Sequence, residues 1–264
     1  MTTHNQQFLE HSLGENIHIL SHPFSETVLT KFSSVGTFQP TLNHQIQLLY
    51  QFLFTEAFNF SFKVKENESD TRMKELVDEA VLKNTIVDGK QKAVFVDLAR
   101  AGTYPSHIGY ELCHFLLEQQ NIRQDHFYLN RKVNENEEVI GVDVSGSKIG
   151  GGQGDAVVFF PDPMGATGGS LSYCVDHYKN KIEGKAKKYV ALHLIITPEY
   201  VRRMKKDHPD VEIFALRYDR GLSKPEVLQT LPGERLAEES GLTEKQYIVP
   251  GAGGVGEILN NSFV

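Results

Sequence analysis

Apolar side chains recur at helical spacing over residues 39–62, where Ile46, Leu49, Tyr50, Phe52, Leu53 and Ala57 share a face; this predicts a packed helix. The first ~35 residues show no period and read as loop-like. Residues 65–76 are charged and expected to be exposed. From residue 92 the pattern changes. Short apolar runs at 92–99, 125–133, 155–162, 187–196 and 211–219 read as strands. Between them, 107–120, 168–184 and 198–209 read as helices, with Pro198 opening the last and Gly184 placed to cap the C-terminus of the second. Residues 134–154 are polar and Gly-rich. Strands alternating with helices at this spacing predict βαβ units, a parallel sheet, and ligands at the carboxyl ends of the strands.

Composition narrows the class. The 264 residues are expected to form a single domain, 1–264, with the N-terminal ~35 residues and 223–246 as peripheral additions. A formal net charge of −7 disfavours nucleic acid polymers as partners but leaves room for a small anion in a local positive pocket. The two cysteines, Cys113 and Cys174, lie among apolar neighbours and read as buried, reduced thiols. No basic segment precedes an apolar run, and no stretch is apolar enough to span a membrane, so a cytoplasmic enzyme is expected.

The chemistry concentrates in Asp162, Pro163, Met164, Gly165, Ala166, Thr167, Gly168, Gly169 and Ser170. This loop follows a buried strand and opens a helix, so free N–H groups and the positive end of the helix dipole point at it. Its glycines let the backbone curl around an anion, and Thr167 and Ser170 add hydroxyl donors. Asp162, just ahead, can accept hydrogen bonds from a vicinal diol. A sugar phosphate presents both groups.

The same residues closely resemble the binding stretch for phosphoribosyl pyrophosphate (PRPP) of uracil phosphoribosyltransferases, differing at Gly165, where that family often carries Leu. Two further stretches resemble the family in order along the chain: Arg100-Ala101-Gly102, and Tyr247-Ile248-Val249-Pro250-Gly251-Ala252-Gly253. The resemblance covers roughly residues 18–260 and includes His22-Pro23. It implies a type I phosphoribosyltransferase fold, an α/β architecture with a central, mainly parallel sheet flanked by helices and a small hood formed by terminal segments. It implies transfer of ribose 5-phosphate from PRPP to uracil, giving UMP and pyrophosphate. Arg100, Ala101, Gly102 and Arg131 are then expected on PRPP with the 162–170 loop, Asp162 and Arg100 being catalytic. Tyr247, Ile248, Gly253, Gly254 and Val255 are expected on the base. Mg²⁺ would be carried with PRPP, and a homodimer or higher oligomer is implied.

Departures from the family pattern gather at the base end. Where the family continues Gly-Asp-x-Gly-Asp, this chain reads Gly253-Gly254-Val255-Gly256-Glu257: the first aspartate is absent and Glu257 replaces the second. Arg131 is displaced in register from the family's loop arginine. Two other readings therefore stand beside the first: the same chemistry on a different base, and a non-catalytic PRPP or nucleotide sensor. Other motifs carry less. Gly251 to Gly256 matches G-x-G-x-x-G, but too few residues follow for a dinucleotide fold. His18 and His22 lack an acidic partner between them, so no metal site is expected there. His193 reads as a satisfied core residue, and Arg202, Arg203, Lys205 and Lys206 as a solvated helix face.

Overall fold

The computed structural model describes residues 8–133 and 139–262, and the side chains of 130–142 fall outside the described residues. In chain order the elements are β1 (Ile17–Ile19), α1 (Pro23–Phe32), α2 (Thr41–Ser61), β2 (Val64–Asp70), β3 (Val81–Val87), β4 (Lys92–Ala99) and α3 (Thr103–Cys113). There follow β5 (Ile122–Val133), β6 (Val139–Lys148), β7 (Ala156–Pro161), β8 (Met164–Gly165), α4 (Gly169–Lys181), β9 (Lys188–Ile196), α5 (Pro198–Asp207), β10 (Glu212–Tyr218), α6 (Pro225–Leu228) and α7 (Val255–Leu259).

The main sheet runs β1-β10-β9-β7-β4-β5-β6, with β8 added beside β9. Every pairing is parallel except β5 with β6. The predicted α/β architecture with a central, mainly parallel sheet is thus observed. Strand β7 lies at its centre, and all six of its residues are buried. Its alternate side chains serve opposite faces: Val157 and Phe159 pack toward α1, α2 and α3, and Val158 and Phe160 toward α4 and α5. On the first face Phe95 and Phe159 stack with ring centroids 5.1 Å apart, and Phe54 packs edge-on to both. Helix α3 approaches so closely that a Cβ on Gly109 would sit 2.2 Å from Phe54 Cζ, so only glycine fits there. Both cysteines are buried as expected; burial pushes the Cys113 thiol up to about 12.

Two sequence readings are corrected, and two strand pairings appear that the patterns did not predict. The opening residues are not all loop: β1 joins the sheet edge and α1 follows, with Leu13, Ile17, Ile19 and Leu20 buried. A three-residue strand is too short to show a period. The charged residues 65–76 are largely exposed, as expected; the stretch also enters an antiparallel hairpin, β2 with β3, whose residues are mostly exposed on both faces and so lack an apolar alternation. The polar segment beyond β5 contains β6, again without a buried face over residues 143–148. Helix α4 ends at Lys181 with an extended Ile182, so Gly184 is not its cap. Gly184 instead takes φ +83° in the turn beyond, where a Cβ would lie 2.9 Å from the Gly154 nitrogen.

Candidate active site

At the carboxyl end of β7 the chain leaves the sheet at Asp162, whose N–H donates to Leu192 O (3.0 Å). Short β8 returns alongside β9, and Gly168 then takes φ +75° to start α4. The residue before the helix is glycine and has no side chain to cap it; Gly169 N–H makes a long contact to Thr167 Oγ1 (3.4 Å), and the next N–H groups of the first turn stay available to an anion. The start of α5 braces this loop. Thr197 Oγ1 donates to Ala166 O (2.6 Å) and its N–H to Gly165 O (3.1 Å). A Cβ on Gly165 would fall 2.9 Å from Ile196 Cγ2 and 3.1 Å from the Tyr200 ring, so Tyr200 fills the space a larger residue would use.

Behind Asp162 lies a buried polar chain. His193 Nδ1 is 2.6 Å from Asp162 O, and its Nε2 is 2.7 Å from Tyr200 Oη. A carbonyl can only accept, so Nδ1 carries the proton and the Tyr200 hydroxyl donates to Nε2. Burial lowers the His193 imidazole to about 4, outweighing the hydrogen bond to the Asp162 carbonyl. The sequence reading of His193 as a satisfied core residue is correct. The pattern does not reveal that it grips the backbone of the loop's carboxylate residue.

The Arg100 loop follows β4. Gly102 packs into the sheet end: a Cβ would lie 2.9 Å from backbone atoms of both Leu98 and Pro161. Arg100 itself is exposed and donates to the Ser262 hydroxyl. Just below, buried Asp97 accepts from Thr103 (3.0 Å) and meets His126 Nδ1 (2.9 Å). Burial raises the Asp97 carboxyl despite these two partners.

The third loop, 247–257, is hung from β10. Asp219 takes both ends of a bidentate pair with Arg217 (2.7 and 2.9 Å) and accepts the Gly251 N–H (2.8 Å), while Arg217 also donates to Gly251 O (2.8 Å). Gly251 has φ +63°, and a Cβ there would sit 2.2 Å from Ile248 O. Gly254 has φ −79°, a value open to any residue, yet a Cβ on it would lie 2.6 Å from Glu257 Oε2. The Glu257 carboxylate therefore reaches over the position from which the expected aspartate is missing. The segment 223–246 is tied down through buried Glu239, which accepts from Arg220 (2.7 Å), Gly233 N (2.9 Å) and the Tyr218 hydroxyl.

The three loops line one cleft of about 1150 Å³. Of the residues expected on PRPP, Arg100, Ala101, Asp162, Met164, Gly165, Ala166, Thr167, Gly168, Gly169 and Ser170 line it, as do Tyr247, Ile248, Gly253, Gly254 and Val255 from the base set. Gly102 and Pro163 lie buried behind the wall. Arg131 is on β5 opposite Val142, and its side chain falls outside the described residues. Sequence reasoning missed Tyr173, Asp176, His193, Tyr200 and Arg203 as cleft residues. A helix periodicity could have placed Tyr200 and Arg203 on one face of α5, but not against this loop. Nor is the basic run simply solvated. Arg202 donates to Leu236 O and Glu239 O, Lys205 donates to Leu13 O, and Arg203 faces the cleft.

The family model for uracil phosphoribosyltransferase matches residues 19–233. The chain belongs to the uracil phosphoribosyltransferase family. A uracil phosphoribosyltransferase of Polaromonas naphthalenivorans (strain CJ2) is 28% identical over 249 residues, 92% of this chain and 96% of that protein. Those of Lactococcus lactis subsp. lactis (strain IL1403) and Chlamydia muridarum (strain MoPn / Nigg) are 34% and 35% identical over 105 residues. That match covers 40% of this chain and 40% and 27% of the two relatives, so it spans less than half of either. Among solved structures, the AQ2163 protein from Aquifex aeolicus shares the fold with a TM-score of 0.67 and 22% identity, over 92% of this chain and 97% of that one. Among the described residues of this family member, no helix is long and apolar enough to cross a membrane.

Proposed function

We propose that this protein transfers ribose 5-phosphate from PRPP to uracil, releasing pyrophosphate. The observation that carries the reading is the convergence of the Arg100 loop, the 162–170 loop and the 247–257 loop on a single cleft. Cleavage of the C1–O bond builds positive charge on the ribose and negative charge on the departing diphosphate, so positioning and electrostatics do most of the work. The uncapped start of α4 would take the 5′-phosphate, and Asp162 the ribose diol. Arg100 would meet the diphosphate with its planar fork of donors. Mg²⁺ would enter on the diphosphate, whose oxygens suit it. Backbone groups of Ile248 and Gly253 would read the donors and acceptors along the pyrimidine edge, leaving N1 directed at the ribose carbon.

The missing aspartate at Gly254 does not leave this end without a carboxylate. Glu257 supplies one from the next turn of chain, and it lines the same cleft. That favours turnover over mere sensing. The test is to incubate the purified protein with PRPP, Mg²⁺ and each free base in turn. UMP formation from uracil supports the proposal. A different nucleotide replaces the base assignment, and PRPP binding without turnover against any base replaces the activity with a sensing role.

A further inference from the structure

We propose that Arg203 is a phosphate-binding residue, the cation that meets the 5′-phosphate end of the substrate as Arg100 meets its diphosphate end. This rests on the phosphoribosyl transfer proposed above. Among the described residues lining the cleft, the permanent cations are Arg100 and Arg203; His193 is held neutral by burial. The two arginines come from different ends of the site. Arg100 stands on the loop after β4, whereas the Arg203 stem packs on the residue that opens α4: a Cβ on Gly168 would lie 3.6 Å from both Arg203 Cβ and Cγ. PRPP likewise carries an anionic group at each end of its ribose.

The charge balance calls for such a group. A phosphate monoester loses its second proton near pH 6, so it arrives at neutral pH as a dianion. The donors of the 165–170 loop are backbone N–H groups and hydroxyls, all uncharged. Asp162, Asp176 and Glu257 line the cleft, and the whole chain carries a formal −7. Arg203, although paired with Asp207 through one N–H, brings the remaining donors of a cationic group to where the phosphate sits. It is also oriented for the task. Its Nε donates to Asp207 Oδ2 (3.0 Å), which in turn accepts from Ser172 Oγ (3.0 Å) in the first turns of α4. Burial pushes the Asp207 carboxyl up, but the hydrogen bonds from Ser172 and Arg203 outweigh it and hold the group below its ordinary range, as a charged anchor. Guanidinium has five N–H donors, and one is used here. The others can take two phosphate oxygens in fork geometry.

The experiment measures ribose 5-phosphate and inorganic pyrophosphate affinities by calorimetry for wild type, Arg203→Gln and Arg203→Lys, at several salt concentrations. Arg203→Gln is expected to weaken ribose 5-phosphate by roughly tenfold to a hundredfold, the scale of a lost charged hydrogen bond. It should flatten the salt dependence of that binding and leave pyrophosphate within about twofold, because screening acts on the lost charge alone. Arg203→Lys, keeping stem and charge, should fall between. Ribose 5-phosphate affinity and salt dependence in Arg203→Gln equal to wild type would overturn the proposal. So would an equal loss in Arg203→Lys and Arg203→Gln, which would make the contact one of shape rather than charge. If the wild type binds neither ribose 5-phosphate nor PRPP, the proposed function has failed and this assignment falls with it.

Discussion

Asp162 is held by its backbone on both sides, N–H to Leu192 O and carbonyl to His193 Nδ1, so its carboxylate starts from a fixed root. Asp162→Asn keeps that root and weakens only the acceptor. PRPP affinity is expected to drop by ~1.5–3 kcal/mol in calorimetry, the cost of a hydrogen bond to a charged group; an unchanged affinity would remove the diol from this residue. His193 gives a pH signature. Its folded value is about 4 against an ordinary 6.5, so between these limits the unfolded chain takes a proton that the native state refuses. Stability therefore falls as pH drops from 6.5 toward 4, by on the order of 3 kcal/mol in all, and below 4 the two states again bind alike. Urea titrations at pH 7 and pH 4.5 should show this loss in wild type and a smaller one in His193→Gln. At the base end, Gly254→Asp alone would set two carboxylates side by side, since Glu257 already occupies that space. The single variant is expected to gain nothing in uracil turnover, Glu257→Gln to lose, and Gly254→Asp with Glu257→Gln to recover. Failure of the double variant to exceed Glu257→Gln would show that the two positions are not equivalent. The glycine itself was legible in the sequence. That a residue three places later reaches back over it was not, because that depends on the turn into α7.

At the scale of elements, helix α5 and the segment 223–246 behave as parts of the site's frame. Gly165→Leu, although it would restore the family's commoner residue, drives a side chain into Ile196 and Tyr200. It should destabilise by ~1–3 kcal/mol, the range for overpacking, and Tyr200→Ala in the same chain should return part of the loss on melting. Glu239 ties the segment 223–246 to β10. With Arg220, Tyr218 and Gly233 all donating to one buried carboxylate, Glu239→Ala strands a buried charge. A loss of ~3–5 kcal/mol is expected, with base affinity reduced because the chain leads directly from here to Tyr247. Sequence patterns gave the buried elements well. Strand β4 falls on its apolar run and α2 on its helical stripe, since both are packed by regular faces. Patterns failed for β2, β3 and β6, which are set mainly by backbone pairing: β2, β3 and residues 143–148 of β6 have no fully buried side chain to mark an apolar alternation.

Across the whole molecule, local loops were easier to recognise than the distances they span. The phosphate loop, the Arg100 loop and the 247–257 loop are each contiguous, so composition exposes them. Arg203 and His193 enter the cleft only because β9 and α5 close on β7 and α4, a relation no window of sequence contains. The same long-range character governs β1. Ile17 and Ile19 are buried, yet their strand partners are Ile213 and Ala215, near the opposite end of the chain. A polypeptide emerging from the ribosome N-terminus first must therefore carry these apolar side chains unpaired until β10 has been made. The sheet can assemble outward from β4 and β7 meanwhile, with β1 closing last, and contacts of such sequence separation are slow to form. The early chain is then the segment most in need of shielding during synthesis, and in native-state hydrogen exchange the amides of β1 should open before those of β7.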